Sequence, residues 1–349
     1  MLNIAHEIDK HIANKTPFVV YRMPYEKDVH FVNNGNFEII NDLSLLDIEK
    51  HNGFVISPFT EKSSLPIVFI PNEKQNDTSQ HTTVTNHVSP THDMSFDEYT
   101  DVLQQYKTAL TSGHIDKLVL SRSATTTRDK NTSLGTIFIK AITQYPRMMV
   151  YLCQTPPTGI WIGCSPEILL EGSKGCWQTV ALAGTQPYSD NVSWDNKNTN
   201  EQHYVEMFIE NTISQIGRIV DKQGPYTSRA GHLAHLRTDY FFSTPDNVSL
   251  GSIIKRLHPT PAVCGLPQKE ALSLIENIEP TDRQYYSGIV GIIGKKSRLF
   301  VNLRCAKVND TDIICYAGGG IMPTSEPDSE WWETEAKMAT LKSLLNHEQ

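Results

Sequence analysis

Short apolar runs, many of them rich in β-branched residues, are spread along most of the chain, whereas a helical period appears in only a few segments. The clearest helix is predicted between Ser95 and Gly113, because Ser95 and Glu98 have the spacing of a capping box and Gly113 is a typical end. An apolar stripe at helical spacing runs through it, formed by Phe96, Tyr99, Leu103, Tyr106 and Leu110.

Strands are predicted for most of the remaining apolar runs. They are KLVLSRSATTT, MMVYLC, GIWIGCS, WQTVALAGT, GIVGIIG, LFVNLRCAKV and IICYAGGG. Helical periods return in EQHYVEMFIENTISQIGRIV, in KEALSLIENI and in the C-terminal stretch. The strands are too numerous and too weakly interleaved with helices for a parallel doubly wound sheet. The pattern therefore favours an α+β fold in which large, mainly antiparallel sheets are enclosed by helices.

A polar, Pro-bounded segment at 71–93 divides the chain and is predicted to be an exposed loop. Before it, runs such as FVVYRM and GFVISPF predict strands in a small N-terminal layer. We therefore expect a short N-terminal part, 1–93, that packs on a main domain, 94–349.

Composition narrows the class of protein. The formal charge of -8 disfavours a nucleic-acid partner, since phosphate binding needs a basic patch. Charges interrupt every apolar run of the N-terminus, which argues against a signal peptide or a membrane span. The six cysteines form no CxxC pair and lie in apolar segments, so we expect buried thiols, no zinc and a reducing, cytoplasmic location.

The C-terminal segment SEWWETEAKMATL places Glu330, Glu333 and Lys337 on one face if it is helical. Either this is a solvated, salt-bridged face, or the carboxylates hold a cation and the lysine meets an anion. The glycines of YAGGGIMPTS, Gly318–Gly320, either let backbone N–H groups approach an anion closely or form a bulge or tight turn.

Glu201 follows Asn198 by three residues at the predicted start of a helix. The pair could be a simple capping box. Alternatively, a glutamate near the positive end of a helix stays ionised and could coordinate Mg²⁺, with Glu333 as its partner carboxylate.

Five more side chains are candidates for a chemical role. Glu167 follows a proline within an apolar run, so it is either an exposed strand residue or a desolvated general acid with a raised pKa. Lys117 opens a strand, where it is either solvated or a base. Arg304 is predicted in mid-strand and needs a carboxylate partner. His235 and His258 are typical of hydrogen-bonded core histidines.

Nine segments occur together in an order that resembles the chorismate-utilising enzymes, a family that includes isochorismate, salicylate, anthranilate and aminodeoxychorismate synthases. They are KLVLSR, GCSPEILLEG, ALAGT, HLRT, LHPTPAVCG, GIVG, LRCAKV, YAGGGIMPTSEP and EWWETEAKM. The resemblance runs from about Lys117 to the C-terminus. It implies a chorismate-binding fold with an Mg²⁺-dependent site.

The same resemblance implies roles for individual residues. Lys117 matches the general base, Glu167 the general acid, and Glu201 and Glu333 the carboxylates that bind Mg²⁺. Glu330 and Asn198 match outer, water-mediated partners of the metal, with Asn198 at a position where aspartate is common. The residues implied to hold the substrate carboxylates are Tyr286, Arg304, Lys337 and Gly318, Gly319 and Gly320, and those implied to line the pocket are His235, Thr260 and Gly265.

Within the family, the resemblance favours isochorismate synthases, which add water at C2 of chorismate as the C4 hydroxyl leaves. LHPTPAVCG and LAGT are most similar to that branch, and Lys117 disfavours anthranilate synthases. The product would feed menaquinone or siderophore biosynthesis, with no glutaminase subunit. The alternatives are a salicylate synthase, which then eliminates pyruvate, an aminodeoxychorismate synthase component, and a catalytically silent relative that only binds a metabolite or a protein.

Overall fold

The computed structural model describes residues 2–73, 92–129, 133–230 and 233–345. Its helices are α1 (Leu2–Ala13), α2 (Phe96–Thr111), α3 (Leu134–Gln144), α4 (Asn196–Ile216), α5 (Leu250–Leu257), α6 (Gln268–Ile278) and α7 (Pro327–Leu345), with a 3₁₀ turn at Leu43–Leu45. Helix α2 confirms the sequence prediction, since Ser95 is its N-cap and Glu98 completes the capping box. Of its stripe, Tyr99, Leu103, Tyr106 and Leu110 are buried, whereas Phe96 is exposed.

The strands, numbered in chain order, form two sheets in which all pairings are antiparallel. The first has the order β13 (Gly265–Leu266), β6 (Lys117–Thr127), β17 (Asp312–Ile321), β16 (Cys305–Val308), β8 (Gly159–Ser165), β7 (Met149–Thr155), β1 (Phe18–Arg22) and β2 (His30–Val32). The second has the order β11 (Arg218–Ala230), β12 (Leu233–Ser243), β10 (Cys176–Pro187), β9 (Ile168–Ser173), β15 (Ser297–Val301), β14 (Ile289–Ile293), β4 (Gly53–Ser57), β5 (Ile67–Pro71) and β3 (Glu38–Ile40). The prediction of an α+β fold with large antiparallel sheets is confirmed.

The N-terminal strands do not form a layer of their own. Strands β1 and β2 extend the first sheet, whereas β3, β4 and β5 extend the second. The division at residue 93 stays a prediction. The loop predicted for 71–93 lies mostly outside the described residues.

Three apolar clusters hold these layers together. One lies between the two sheets and contains Phe54, Tyr151, Trp161, Tyr285 and Phe300. A second packs α1, α3 and α7 on the first sheet, and a third packs α2, α4, α5 and α6 against both sheets. Helices therefore cover the outer faces while side chains of both sheets meet in the middle.

Two predicted strand features are different in the structure. The run LFVNLRCAKV is not one strand: β15 ends at Val301 in the second sheet and β16 begins at Cys305 in the first. Arg304 lies in the crossing with a φ of 49°, so the prediction of a mid-strand arginine is wrong. Gly318–Gly320 lie inside β17, paired with β6, rather than in a bulge or turn.

Five of the six cysteines are buried thiols, as expected, but Cys176 at the start of β10 is exposed. Among the described residues, no helix is long and apolar enough to span a bilayer.

A buried ion pair fixes the strand that begins with Lys117. Glu279, just after α6, accepts hydrogen bonds from the backbone N–H and the hydroxyl of Ser121 at 2.9 Å each. Arg283 binds Glu279 and donates to the carbonyl oxygens of Val119 and Val263 at 2.7 Å. The pair therefore ties β6 to α6 and to the turn before β13.

Replacement of Arg283 by leucine should lower the free energy of unfolding by about 3–5 kcal/mol, because Glu279 would remain buried without its partner. Urea denaturation measures this change. Lys62→Met is the control, since it breaks an exposed pair with Glu276 and should cost less than about 1 kcal/mol. Equal losses in the two variants would contradict the structural role of Arg283.

Candidate active site

A narrow cavity lies where strands of the two sheets come together. Its volume is about 60 Å³, counted as the space open to the centres of water molecules. Strands β6 and β17 provide one wall, β10 and β12 another, and α4 and α7 each contribute a charged side chain. The charged or titratable residues that line it are Glu167, Glu201, His235, Tyr286, Arg304, Tyr316 and Lys337.

Glu167 is a buried acid in this cavity, between the end of β8 and the start of β9. Burial raises its pKa to about 8, although Lys117 and Lys337 act in the opposite direction. No described residue forms an ion pair with its carboxyl group. Glu167 therefore carries a proton at neutral pH, and the alternative of an exposed strand residue is wrong.

Lys117 is the first residue of β6 and its side chain is fully buried. Its Nζ lies 2.9 Å from Oε1 of Glu201, in an ion pair without the directed geometry of a hydrogen bond. Burial raises the pKa of Glu201, but Lys117, Lys337 and Lys197 together outweigh this effect and the pKa is lowered overall. Glu201 is thus ionised beside a buried lysine, and the solvated alternative for Lys117 is wrong.

The start of α4 differs from the prediction. Asp195 is the N-cap, so the capping-box interpretation of Asn198 and Glu201 is wrong and Glu201 lies beyond the first turn. Oδ1 of Asn198 accepts from the backbone N–H of Thr185 at 2.9 Å, and its Nδ2 donates to Asp195. Asn198 therefore holds the end of β10 against α4, and its water-mediated role at a metal stays a prediction.

The acidic face of α7 is not a solvated surface. Glu330 is buried, and its Oε1 accepts from Nζ of Lys197 and from Oγ of Ser325 at 2.6 Å each. Oε1 of Glu333 accepts from Nζ of Lys337 at 2.6 Å, and Lys337 also donates to the carbonyl oxygen of Gly318 at 2.8 Å. Burial and the neighbouring Glu333 raise the pKa of Glu330.

The glycines of β17 leave room for these carboxylates. A Cβ on Gly320 would lie 2.3 Å from Oε1 of Glu201. A Cβ on Gly319 would lie 3.3 Å from Oε2 of Glu330 and 3.7 Å from Oε1 of Glu333. Side chains at these positions would therefore fill the space around the three acids.

Arg304 and His235 give the cavity a cation and an acceptor. Burial lowers the pKa of Arg304 to about 10, so it stays charged at neutral pH, and its buried NH1 has no partner among the described residues. Burial, followed by the charge of Arg304, lowers the pKa of His235 to about 3. Nδ1 of this neutral ring lies 3.0 Å from the carbonyl oxygen of Gly184, so Nδ1 carries the proton and Nε2 is an acceptor without a partner among the described residues. By contrast, His258 bonds the carbonyl oxygen of Phe59 away from this cavity.

The comparisons with known proteins agree with this arrangement. The family model described as "Chorismate binding enzyme" matches residues 63–346, which is most of the chain. The chain belongs to the chorismate-binding enzymes. The resemblance in the sequence is thereby confirmed.

Two similar proteins of known description are both isochorismate synthases. The chain is 28% identical over 244 residues to isochorismate synthase EntC of Escherichia coli, a match that covers 66% of this chain and 62% of that protein. It is 25% identical over 292 residues to isochorismate synthase MenF of Bacillus subtilis, covering 80% and 60% of the two chains. The chain thus spans about three fifths of the length of these relatives.

Among solved structures, that of MenF, the menaquinone-specific isochorismate synthase of Escherichia coli, matches with a TM-score of 0.81. The sequences are 21% identical, and the match covers 97% of this chain and 91% of the other. At this identity the likeness establishes the shared fold.

The residues that the family resemblance assigns to Mg²⁺ fit a hard cation in their chemistry. Glu201, Glu330 and Glu333 offer carboxylate oxygens, which Mg²⁺ prefers, and Oε2 of Glu330 is buried without a partner among the described residues. In this structure each of the three acids is paired with its own lysine. Accordingly, the described part of the chain has no group of three or more metal-ligating side chains already arranged to hold an ion.

Thr260 and Gly265 do not line the cavity, in contrast to the prediction. Ala262 and Val263, which lie between them, do so. The carbonyl of Thr260 accepts the N–H groups of the following turn, and Gly265 pairs with β6 so closely that a Cβ would lie 2.3 Å from the carbonyl oxygen of Lys117. Both residues therefore hold in place the segment with Ala262 and Val263, which lines the cavity.

Three polar residues are among those of the site that sequence reasoning missed. Lys197, one helical turn before Glu201, neutralises Glu330. Thr185 and Tyr316 line the cavity, and the ring of Tyr316 stacks on that of Tyr286 at 5.9 Å. The i, i+4 spacing of Lys197 and Glu201 and the i, i+2 spacing of Tyr316 and Gly318 were signals that could have found two of them.

The raised pKa of Glu167 predicts a dependence of stability on pH. Its pKa is about 8 in the folded protein and 4.5 ordinarily, so this group stabilises the fold fully below pH 4.5 and the contribution is lost as pH rises towards 8. Glu167→Gln removes this dependence. Relative to wild type, the variant should gain about 3–5 kcal/mol between pH 4.5 and 8.5.

Urea denaturation at several pH values measures this difference between the two proteins. The control is Glu270→Gln on α6, because Glu270 is exposed and does not line the cavity. Parallel stability curves for wild type and Glu167→Gln would contradict the protonated state of Glu167.

Proposed function

We propose that the protein is an isochorismate synthase, an isomerase that adds water at C2 of chorismate as the C4 hydroxyl leaves. The observation that supports this most is that one cavity combines a protonated carboxyl, Glu167, with a carboxylate, Glu201, that is paired to the buried Lys117. Acid–base chemistry requires two groups whose surroundings keep them in different protonation states. The relatives named isochorismate synthases support the same reaction.

In this reaction Lys117 would take a proton from the water that attacks C2, and Glu167 would give its proton to the departing C4 hydroxyl. Lys117 gains one proton from the attacking water and Glu167 loses one to the departing hydroxyl, which leaves as water, and exchange with solvent restores both groups. Because a base must begin without its proton, the ion pair with Glu201 corresponds to a stage before that loss. Each such proton transfer typically contributes about 10²- to 10⁴-fold in rate.

Chorismate carries two carboxylates, which a chain of net charge -8 would otherwise repel. Arg304 and Lys337 line the cavity and could each pair with one carboxylate. Tyr286 and the backbone of Gly318 and Gly320 line the same wall and could donate to them. Glu201 and Glu333 would hold Mg²⁺, with Glu330 behind them, and the bound ion would supply further positive charge for the ring carboxylate.

A salicylate synthase is the second candidate, because the same acid and base would serve its first step. A protein that only binds a metabolite has no need of a protonated acid in its cavity beside a carboxylate that is paired to a buried lysine. The relatives include a menaquinone-specific and other isochorismate synthases, so the product could feed menaquinone or siderophore formation. No glutaminase subunit is needed, since water is the nucleophile.

The product decides between these functions. Purified protein incubated with chorismate and Mg²⁺ should yield isochorismate by chromatography, and removal of the metal with a chelator should stop the reaction. Salicylate and pyruvate would establish the second candidate. Recovery of unchanged chorismate would refute both enzymes.

Substitutions test the roles of the individual residues. Lys117→Ala and Glu167→Gln should each lower kcat by about 10²- to 10⁴-fold, while Lys140→Ala, an exposed lysine of α3, should not. Glu333→Gln should weaken Mg²⁺ binding at least tenfold in calorimetry. Wild-type rates in the first two variants, or an unchanged metal titration in the third, would contradict these assignments.

A further inference from the structure

Strand β10 has a bulge in the wall of the active-site cavity. Its pairing with β12 shifts register after Ala183, so that two residues of β10, Gly184 and Thr185, lie opposite the single residue His235. Gly184 has a φ of 65°, the left-handed conformation that begins one class of bulge. All four residues line the cavity. The bulge therefore shapes the wall beside the proposed site of reaction.

Helix α4 provides hydrogen-bond partners for the backbone of β10 at this bulge. Strand β9 pairs with β10 only as far as Gln178, so no described strand reaches the other edge of β10 at the bulge. Oε1 of Gln202 accepts from the N–H of Ala183 at 2.9 Å. Oδ1 of Asn198 accepts from the N–H of Thr185 at the same distance. Because these amides are four residues apart, one face of α4 presents both of them to β10 in place of a strand.

The contact between α4 and the bulge is close. The side chain of Gln202 is buried, and its Nε2 donates to the carbonyl oxygen of Ala181 at 3.3 Å and to Oγ1 of Thr238 at 3.2 Å. A Cβ on Gly184 would lie 3.2 Å from both Cβ and Oδ1 of Asn198. Glycine at 184 therefore suits both its left-handed backbone and the approach of the helix.

The bulge also determines which nitrogen of His235 carries the proton. Nδ1 lies 3.0 Å from the carbonyl oxygen of Gly184 and 3.2 Å from Oγ1 of Thr185. A carbonyl oxygen can only accept a hydrogen bond, so it holds the proton on Nδ1 and leaves Nε2 as an acceptor. Displacement of this carbonyl would remove the constraint, and the proton could then occupy Nε2.

We propose that Asn198 and Gln202 are positioning residues that act through His235. Their amides hold the bulge of β10 against α4, direct the carbonyl group of Gly184 to Nδ1 of His235, and thereby keep Nε2 unprotonated. The consequence for the reaction rests on the proposed function. Chorismate carries a hydroxyl group, and its O–H requires an acceptor when it is buried. A protonated Nε2 would be a donor and could not accept from that hydroxyl.

A simpler explanation is that the two amides only satisfy two buried backbone N–H groups. That explanation accounts for the hydrogen bonds, but it predicts no link between α4 and the protonation of His235. The two explanations therefore differ in the tautomer of His235, which can be measured without substrate.

The test is ¹⁵N NMR of histidine-labelled protein, because the protonated and unprotonated nitrogens of a neutral ring have different shifts. The signals of His235 are those that disappear in His235→Gln. Wild-type protein should show the Nδ1–H tautomer, whereas Asn198→Leu and Gln202→Met should each show a mixture of both tautomers. Asn198→Asp should keep the wild-type tautomer, since its carboxylate oxygen still accepts from Thr185.

Steady-state kinetics provide a second measurement. In Asn198→Leu and Gln202→Met, kcat/KM should fall about ten- to hundredfold, because the acceptor in the cavity wall is lost or misplaced. Asn211→Leu and Gln215→Met are the matched controls, since they carry the same changes at exposed positions of the same helix. Both controls should keep the tautomer and the rate of the wild-type protein.

Three outcomes would overturn the proposal. One is a wild-type His235 protonated on Nε2, a result that does not depend on the folding of any variant. Another is the Nδ1–H tautomer in both Asn198→Leu and Gln202→Met, even with lower activity, because the amides would then have only a structural role. The third is an equal change of tautomer in the two exposed controls.

The positioning role and the proposed function can fail separately, because the tautomer is measured without substrate. If wild-type protein does not turn over chorismate but the tautomer changes in the two variants, the function is wrong and the positioning role stands. If wild-type protein is active but the tautomer does not change, the positioning role is wrong and the function stands.

Discussion

Three buried or partly buried ion pairs set the architecture of the site: Lys117 with Glu201, Lys197 with Glu330, and Lys337 with Glu333. An unpaired carboxylate in such a place would cost several kcal/mol, so each acid needs a cation nearby. The lysines come from β6, α4 and α7, and the pair of Lys197 and Glu330 joins two helices that are far apart in the chain. The need to neutralise these acids thus fixes β6, α4 and α7 relative to one another, and with them the shape of the cavity.

The presence or absence of a neighbouring cation also gives the two acids that line the cavity different protonation states. Glu201 has Lys117 at ion-pair distance and is ionised, whereas Glu167 has no ion-pair partner among the described residues and keeps its proton. Both are buried glutamates, so their difference comes from their neighbours and not from their residue type. The glycines at 319 and 320 belong to this arrangement, because a methyl group at either position would occupy the space in which the carboxylates meet the lysines.

Local patterns in the sequence were sufficient to predict those features that depend on interactions between residues close in the chain. The capping box of α2 and the bounds of β6 depend on residues that are close in the chain, and both were predicted from it. Burial of Glu167 was also predictable, since its neighbours on both sides are apolar. The sheet crossing at Arg304 was not, because LFVNLRCAKV has the same apolar pattern whether it forms one strand or two strands in different sheets. The sharing of the N-terminal strands between both sheets and the pairing of each acid with its own lysine depend on contacts between distant segments, which periodicity does not report.

The crossing at Arg304 shows why the site lies between the sheets. Residues in regular strands of a sheet face either the core or a covering helix, so a strand places an arginine in an apolar layer or on a surface. Arg304 lies in neither kind of position, because the chain leaves one sheet before it and enters the other after it. Its backbone has a left-handed φ of 49° at this crossing. Its guanidinium group thereby reaches the cavity with one nitrogen buried and unpartnered among the described residues. An unpaired buried cation costs free energy that a bound anion would offset, and therefore the fold that positions Arg304 also favours the binding of an anionic ligand.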